Sequence, residues 1–283
     1  MQRVWAGISA ALLAALVLSG CSPAPAALPE GVTVSVFQSR FDRGLHQIEI
    51  KVSNDTDAAI TVTSAALDST RFAEPAVWDR PQRVPSGAAR DLRVQLGEPA
   101  CGTEPARDEV QLEFVLEDGS SGTARLPLAD VTPIDSVNDE DCLGVEVAAI
   151  ATLTAGDTVQ WTAGAHEPAV LDLTATPTGA DGTLTIVESK ATVLLGLVDE
   201  AGNAVYEHAE QIVVDAGSGP GVVRLRLVPA RCDPHAVAED KRGTFFPLEV
   251  KTSTGRSGQL YVPVSDAVRA SLYDFFGDYC GLP

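Results

Sequence analysis

Polar and apolar residues alternate along most of the chain. The alternation runs through residues 32–36 and 48–52, stops at a polar cluster at 53–57, and resumes at 60–63. It returns in the second half at 159–161, 171–174, 183–187 and 193–195. A period of two residues is typical of strands that bury one face, and turn-forming residues interrupt it every ~8–12 residues. The pattern therefore predicts an all-β fold of sandwiches rather than a parallel α/β fold.

The two halves of the chain repeat the same order of segments. Each half has an alternating strand, a cysteine, a polar stretch, a second strand, a Gly-containing turn and a third strand. The strands and turns are 92–96, 110–115, 118–122 and 124–128 in the first half, and 223–227, 247–251, 254–258 and 260–264 in the second. Because so many correspondences in one order rarely arise by chance, the sequence predicts two homologous domains, residues 31–144 and 145–283.

Cysteines recur at matching places in this repeat. The first of these strands leads into Cys101 in one half and Cys232 in the other, and the halves close with Cys142 and Cys280. Four cysteines can pair in three ways, and the repeat favours Cys101–Cys142 and Cys232–Cys280. A zinc site made of all four thiolates is the alternative, although the sequence has no Cys-x-x-Cys spacing to support it.

Two segments replace the alternation with a helical pattern. Near the C-terminus, Ser265 is a capping residue, and the apolar residues from there to Tyr279 fall on one helical face. In the second domain, Asp233 is a good N-cap, Pro234 suits the first helical position and Gly243 suits a helix end. We expect a C-terminal helix and a short helix. The first half is shorter at the position of the short helix, so the shared scaffold does not require it.

The short helix carries the candidate site. His235 and Glu239 are four residues apart, so a helix places them on one face. With Lys241 and Arg242 they form a candidate ligand-binding site, in which His235 and Glu239 would hold a cation or a small ligand and the two basic residues an anionic group. The alternative is a capped helix whose charged residues form surface ion pairs over the edge of the sandwich.

The N-terminus has the composition of a bacterial secretory signal. Arg3 supplies a positive charge, residues 4–18 are apolar, and the segment ends Leu-Ser-Gly-Cys21. This ending resembles the lipobox of bacterial lipoproteins, and the resemblance implies cleavage before Cys21 and attachment of a diacylglyceryl group to its thiol. The alternative is an ordinary signal peptide followed by a chance cysteine. We expect a lipoprotein signal peptide over 1–20 and a Pro- and Ala-rich tether over 21–30.

Cysteine usage agrees with a lipidated, exported protein. Of the five cysteines, Cys21 would carry the lipid, which leaves an even number that can pair. Disulfides persist outside the cytoplasm, and two or three acyl chains give stable anchoring. The expected location is the cell membrane, on its extracytoplasmic face, with the folded body held there by the lipid.

Composition narrows the classes of function. The chain has 283 residues, with 20 Lys and Arg against 39 Asp and Glu, and its formal net charge is -19. Because a chain with this negative charge repels the phosphate backbones of nucleic acids, we expect no nucleic-acid partner. The sequence has no His-Glu-x-x-His, Gly-x-Ser-x-Gly or phosphate-loop motif. We therefore expect no enzymatic activity, no cofactor and no metal.

Three oxygen-rich segments are weak candidates for calcium, a hard cation that binds such loops outside the cell. They are Asp55 with Asp57, residues 138–141, and Asp199 with Asn203. None matches an EF-hand loop, and solvated turns account for all three.

Two further resemblances concern the folded body. The run Ile-Glu-Ile-Lys-Val-Ser-Asn-Asp at 48–55 looks like the Ig-like modules of exported proteins, although the cysteine spacing differs from that of an antibody domain. The run Arg-Cys-Asp-Pro-His-Ala-Val-Ala-Glu-Asp-Lys-Arg-Gly at 231–243 resembles a stretch in actinobacterial cell-envelope lipoproteins. That likeness covers mainly the second domain, and it implies an envelope location rather than a chemistry.

These features predict a lipid-anchored, non-enzymatic binding or interaction module at the cell surface, built from two tandem Ig-like β-sandwich domains. Its partner would be another envelope protein, a peptide or a glycan, contacted near the short helix. One alternative is a structural spacer or accessory subunit of an envelope transport or secretion complex. Another is a metal-dependent protein or enzyme centred on His235 and Glu239.

Overall fold

The alternating pattern forms antiparallel sheets, as predicted. The computed structural model describes residues 25–102, 106–238 and 243–282. Within them the chain forms seventeen strands and four helices, and the strands assemble into four sheets that make two β-sandwiches. In this described part of the chain, no helix is long and apolar enough to cross a membrane.

The first sandwich contains the first eight strands. One sheet has the order β1-β2-β6, and the other has the order β4-β3-β7-β8, with β5 also paired to β3. The strands are β1 (Val32–Phe37), β2 (Gln47–Asn54), β3 (Ile60–Ser69), β4 (Ala76–Trp78), β5 (Gln82–Val84), β6 (Ala88–Gln95), β7 (Asp108–Leu116) and β8 (Ser121–Pro127). Alternate residues of β2, β3 and β7 fill the core between the two sheets.

The second sandwich contains the remaining nine strands. One sheet has the order β13-β12-β15-β10-β9 and the other β14-β11-β16-β17. The strands are β9 (Ala151–Ala155), β10 (Ala169–Pro177), β11 (Thr183–Lys190), β12 (Leu195–Val198), β13 (Ala204–Val205), β14 (Glu207–Asp215), β15 (Gly221–Pro229), β16 (Phe245–Thr252) and β17 (Ser257–Pro263). Of the predicted strands, 159–161 is reduced to a single bridge between Gln160 and Val170.

Both sandwiches pair their strands in the same order. β1-β2-β6 matches β9-β10-β15, and β3-β7-β8 matches β11-β16-β17. Even a β-bulge recurs, because the register shifts between Val62 and Ser64 opposite β7 and between Ile186 and Glu188 opposite β16. The two sandwiches differ at one edge: β15 also pairs with the strand β12, whereas the chain beyond β6 forms only a single bridge, between Pro99 and Phe72.

Four helices accompany the strands. Both predicted helices are present: α3 (Pro234–Ala238) is short, and α4 (Asp266–Cys280) begins after Ser265, whose hydroxyl accepts the N–H of Val268. The other two helices are additions to the sequence prediction. They are α1 (Arg40–Leu45), which follows β1, and α2 (Thr132–Ile150), which follows β8. Ser39 caps α1 and exchanges hydrogen bonds with Asp42 in a capping box.

The helix α2 belongs to both sandwiches. Ile134 and Val137 lie in the first core, whereas Leu143, Val147 and Ile150 lie in the second. The expected domain boundary between residues 144 and 145 thus falls inside a continuous helix. The helix α2 therefore connects the hydrophobic cores of the two sandwiches.

Polar contacts hold the same helix from both sides. The guanidinium of Arg71, which follows β3, forms ion pairs with Asp135 of α2 and with Asp108 of β7. From the second sandwich, Arg256 contacts Asp139 at 3.1 Å and Glu146 at 3.5 Å. Because these contacts flank the middle of α2, they fix its position relative to each sandwich.

The disulfides follow the repeat. Cys101 pairs with Cys142, a separation of 41 residues, and Cys232 pairs with Cys280, a separation of 48 residues. Each bridge joins the loop after β6 or β15 to the helix that follows the last strand of its sandwich. The predicted pairing is confirmed, and it ties α2 and α4 to their sandwiches.

The predicted tether is docked where the structure describes it. The N–H of Ala26 donates to the carbonyl of Ser121 at the start of β8, at 2.8 Å. Leu28 packs against the first core. The expected signal peptide, 1–20, and the lipidation site, Cys21, lie outside the described residues.

Removing one bridge should destabilise the fold strongly. The double variant Cys101→Ser/Cys142→Ser is expected to lose about 4 kcal/mol of unfolding free energy, because the bridge no longer restricts the unfolded chain. Urea denaturation of the oxidised protein measures this loss. Mass mapping that joined a cysteine of the first sandwich to one of the second would contradict the pairing.

Two substitutions at Gly144 test whether α2 couples the sandwiches. A Cβ at this position would meet nothing within 4 Å, so Gly144→Ala should raise the free energy of unfolding by about 1 kcal/mol. Gly144→Pro should lower it by about 3 kcal/mol and break α2 between the two cores. Calorimetry should then resolve two transitions where the wild type and Gly144→Ala give one. Two transitions in the wild type would argue against coupling.

Candidate functional site

The short helix of the second sandwich carries one of the predicted site residues. His235 is exposed, its backbone N–H donates to the Asp233 carboxylate at 3.0 Å, and Ala236 is buried in the core. Glu239, Lys241 and Arg242 lie outside the described residues. The capping role of Asp233 is as predicted, whereas the convergence of the four site residues stays a prediction.

Exposed apolar residues lie on segments beside this helix. Val193 is 78% exposed and Tyr206 is 71% exposed. Val193 lies in the loop before β12, where the hydroxyl of Thr192 donates to the carbonyl of Gly243 at 2.8 Å. The carbonyl of Tyr206 accepts the N–H of Ala191 in the same loop. The loop before β12 thus presents an exposed apolar side chain near Gly243, which follows the candidate helix in the sequence.

The oxygen-rich segments do not gather into a cation site. Residues 138–141 are not a loop but part of α2, and their side chains point to different partners: Arg71, Arg256, Arg43 and His46. Asp199 accepts hydrogen bonds from the backbone and side chain of Asn203 within one turn, which lowers the pKa of that carboxyl. Asp55 and Asp57 are exposed in a turn. Among the described residues, no three His, Cys, Asp or Glu are placed to hold a metal ion.

A second candidate surface lies in the first sandwich, at the end of β6 on the edge of its sheet. An open cavity of about 550 Å³ is lined there by His46, Ala73, Glu74 and residues 95–98. We call it the edge groove. The sequence alone does not reveal it, because its lining residues come from three separate segments with no shared motif.

The helix α1 borders this groove. Its side chains Phe41 and Leu45 are 53% and 62% exposed. The helix ends at His46, which has a left-handed backbone with φ 53° and whose Nε2 lies 2.8 Å from Asp141 Oδ2 on α2. The amide of Gln95 donates to the carbonyls of Leu45 and His46. The C-terminal end of α1 is therefore fixed to both β6 and α2.

Two buried carboxyl groups hold the middle of α1 against the sheet. Asp42 of α1 and Glu49 of β2 are both buried, and Arg93 of β6 contacts each of them at 3.2 Å. Burial raises the pKa of Glu49, and its hydrogen bond to Asp42 raises it further. Burial also disfavours the Asp42 anion, but the hydrogen bonds from Ser39 and Glu49 outweigh it, so the pKa of Asp42 is lowered. The two carboxyl groups at the base of α1 thus have pKa values shifted in opposite directions, and Glu49 is the weaker acid.

Comparisons with known proteins identify no family. No family model and no curated protein matches the sequence. Among solved structures, red sea bream transglutaminase is 13% identical (84% of this chain, 32% of that chain, TM-score 0.24). The B domain of a biofilm associated protein is 10% identical (84% and 86%, TM-score 0.25), and the calcium binding domain CBD12 of CALX1.1 is 12% identical (82% and 81%, TM-score 0.23). This chain spans about a third of the transglutaminase, and TM-scores this low support no argument about function.

The carboxyl pair predicts a pH dependence of stability. Because the pKa of Glu49 is raised by folding, its contribution is complete below its unfolded pKa and is lost as the pH rises through its folded pKa. The contribution of Asp42 to the free energy of unfolding changes with pH in the opposite direction. It is lost as the pH falls through the lowered pKa of Asp42. Glu49→Gln keeps the hydrogen bond without titrating. Its unfolding free energy should therefore fall less than that of the wild type between weakly acidic and neutral pH.

Urea denaturation across this pH range measures the difference. Glu113→Gln, on the exposed side of β7, is the matched control for the loss of one carboxylate. An unchanged pH dependence in Glu49→Gln would show that folding does not raise the pKa of Glu49.

Proposed function

We propose that the protein is a lipid-anchored, extracytoplasmic interaction module without enzymatic activity. The observation that carries the proposal is the edge groove, an open cavity of about 550 Å³ bordered by exposed apolar side chains. A cavity with exposed apolar side chains nearby is a common feature of binding sites. The two disulfides indicate an oxidising environment, which agrees with an exported protein.

The lining of the groove is acidic. Its described residues include no Ser, Thr, Cys, Lys or Tyr, and its ionisable side chains are His46, Glu74 and Glu98. His46 is already engaged by the carboxylate of Asp141. The glutamates of the edge groove, Glu74 and Glu98, provide negative charge for recognition of a cationic partner.

The proposed anchor fits the docked N-terminal segment. Cys21 precedes Ala26 by five residues, and Ala26 is bonded to β8. A fully extended chain covers at most about 3.6 Å per residue, so the lipid would lie within about 18 Å of the start of β8. In this proposal the end of the first sandwich at which β8 begins is close to the membrane, and the edge groove lies at the opposite end of the strands.

A spacer or accessory subunit of an envelope complex is the second candidate. The helix α2 favours it, because a continuous helix that is buried in both cores holds two modules at a set separation. Under this alternative, Gly144→Pro should impair the protein in the cell even though the edge groove retains its lining.

Lipidation is tested by metabolic labelling of the native chain. With radiolabelled fatty acid, the wild type should incorporate label and fractionate with membranes, because the Cys21 thiol carries the diacylglyceryl group. Cys21→Ser should lose the label and be released. Ser22→Ala, one residue away, is the control and should behave as the wild type does. Equal labelling of Cys21→Ser would refute the anchor.

A further inference from the structure

The segment that precedes the first strand is built into the first sandwich. We call residues 26–31 the strap. The N–H of Ala26 donates to the carbonyl of Ser121 at 2.8 Å, and Leu28 packs against the first core. A Cβ on Gly122 would collide with the carbonyl oxygen of Ala26. The strap therefore passes over the place of a missing side chain, which only glycine leaves free.

The second sandwich receives its own incoming segment at the same place. Gly122 corresponds to Gly258, because Phe114 faces Gly122 in the β7–β8 hairpin and Val250 faces Gly258 in the β16–β17 hairpin. A Cβ on Gly258 would lie 3.1 Å from the side chain of Leu143 of α2. The helix α2 precedes the first strand of the second sandwich, as the strap precedes β1. The strap and α2 thus occupy equivalent positions.

In the second sandwich, α2 and α3 lie at opposite ends of the strands. Pro177, which ends β10, faces Ala151, the residue that follows α2. At the other end of this sheet, Ala169 of β10 faces Leu227 of β15, close to the point where β15 leads into α3. His235 is therefore at the end of the second sandwich that is remote from α2.

In the first sandwich, the strap and α2 also lie at opposite ends. The strap is bonded to Ser121, which begins β8, whereas α2 follows the end of β8 at Pro127. Contacts at that end hold α2, because Asp141 lies 2.8 Å from His46, which precedes β2. The order along the molecule is the strap, the first sandwich, α2, the second sandwich and α3.

We infer that the strap holds the molecule upright on the membrane, with the strap end of the first sandwich facing the lipid headgroups and α3 at the far end. The inference rests on the proposed lipid anchor. Only residues 22–25 separate Cys21 from the strap, and they span at most about 18 Å. A protein or glycan that binds near His235 would then approach from the side away from the membrane.

Two tryptophans report the heights of the two sandwiches above the bilayer. Trp78 of β4 faces Ala65 in the middle of β3, whereas Trp161 follows a bridge to the start of β10, at the far end of the second sandwich. Trp161→Phe leaves Trp78 as the reporter, and Trp78→Phe leaves Trp161. The third tryptophan, Trp5, lies in the expected signal peptide.

The measurement is energy transfer from tryptophan to a dansyl group on lipid headgroups. The lipidated protein is placed on phosphatidylcholine vesicles, because the exposed acidic residues at the strap end, which include Asp55 and Asp118, are repelled by anionic lipids. Transfer should be greater in Trp161→Phe than in Trp78→Phe by about threefold or more. Equal transfer, or greater transfer from Trp161, would overturn the inference, because the molecule would then lie flat or point the other way.

Variants of the strap test whether it sets this direction. Gly122→Val displaces Ala26, and Ala26→Pro removes only the N–H that Ser121 binds, so it serves where the bulkier change prevents folding. In each, the difference between the two reporters should shrink, because the body can tilt. Gly219→Val is the matched control, in an exposed turn where a Cβ would meet nothing within 4 Å, and it should keep the difference. An unchanged difference in the strap variants would overturn the role of the strap.

Amide exchange separates the strap from the anchor. In the unlipidated variant Cys21→Ser, the N–H of Ala26 should exchange slowly, and Gly122→Val should make it exchange fast. Fast exchange in Cys21→Ser itself would refute the strap whatever the lipid content. A wild type that takes up no fatty acid would refute the proposed anchor and the upright arrangement together. Lipidation with equal transfer from Trp78 and Trp161 would refute the upright arrangement alone.

Discussion

The burial of one helix in two cores is the constraint on which the rest of the structure depends. Nineteen residues of α2 span about 28 Å. Residues near its start pack in the first sandwich, and residues near its end pack in the second. Cys142 lies between these two groups and is bonded to Cys101. A shift of α2 would therefore disturb both cores and strain a covalent link.

The same helix also fixes the border of the edge groove. Asp141 of α2 binds His46, the residue that ends α1, and Glu140 lies 4.0 Å from Arg43 of α1. With the Asp42–Glu49 carboxyl pair beneath it, α1 is held on two sides although it has only six residues. An isolated helix of that length is unstable in water. Its exposed side chains are consequently presented by tertiary contacts rather than by helix propensity.

Much of the fold could be predicted from the sequence, and the exceptions have physical reasons. The alternation predicts most strands, and the repeat predicts both disulfides. The helix α2 is missed because its apolar residues serve two cores. At 3.6 residues per turn, Ile134 and Val137 lie on the side of the helix opposite to Leu143, Val147 and Ile150. No single apolar stripe results, and the acidic residues 138–141 look like a loop. The repeat contains a signal for α2, because the predicted C-terminal helix leads into Cys280, and Cys142 is the matching cysteine of the first half.

The edge groove could not be predicted from motifs, because it is produced by a difference between two similar sandwiches. The sequences of β6 and β15 predict equivalent strands, and the structure pairs them equivalently with β2 and β10. The difference comes from a distant segment. When the Phe72–Pro99 bridge is aligned with the pairing of β12 and β15, Pro75 takes the position of Leu197. A residue without an N–H cannot continue the ladder, so the chain turns to the other sheet at Pro75, whereas β12 goes on from Leu197 to pair with β13 in the same sheet. The cavity beside Glu74 and Glu98 therefore results from one residue in a connecting segment, which the sequences of the paired strands do not reveal.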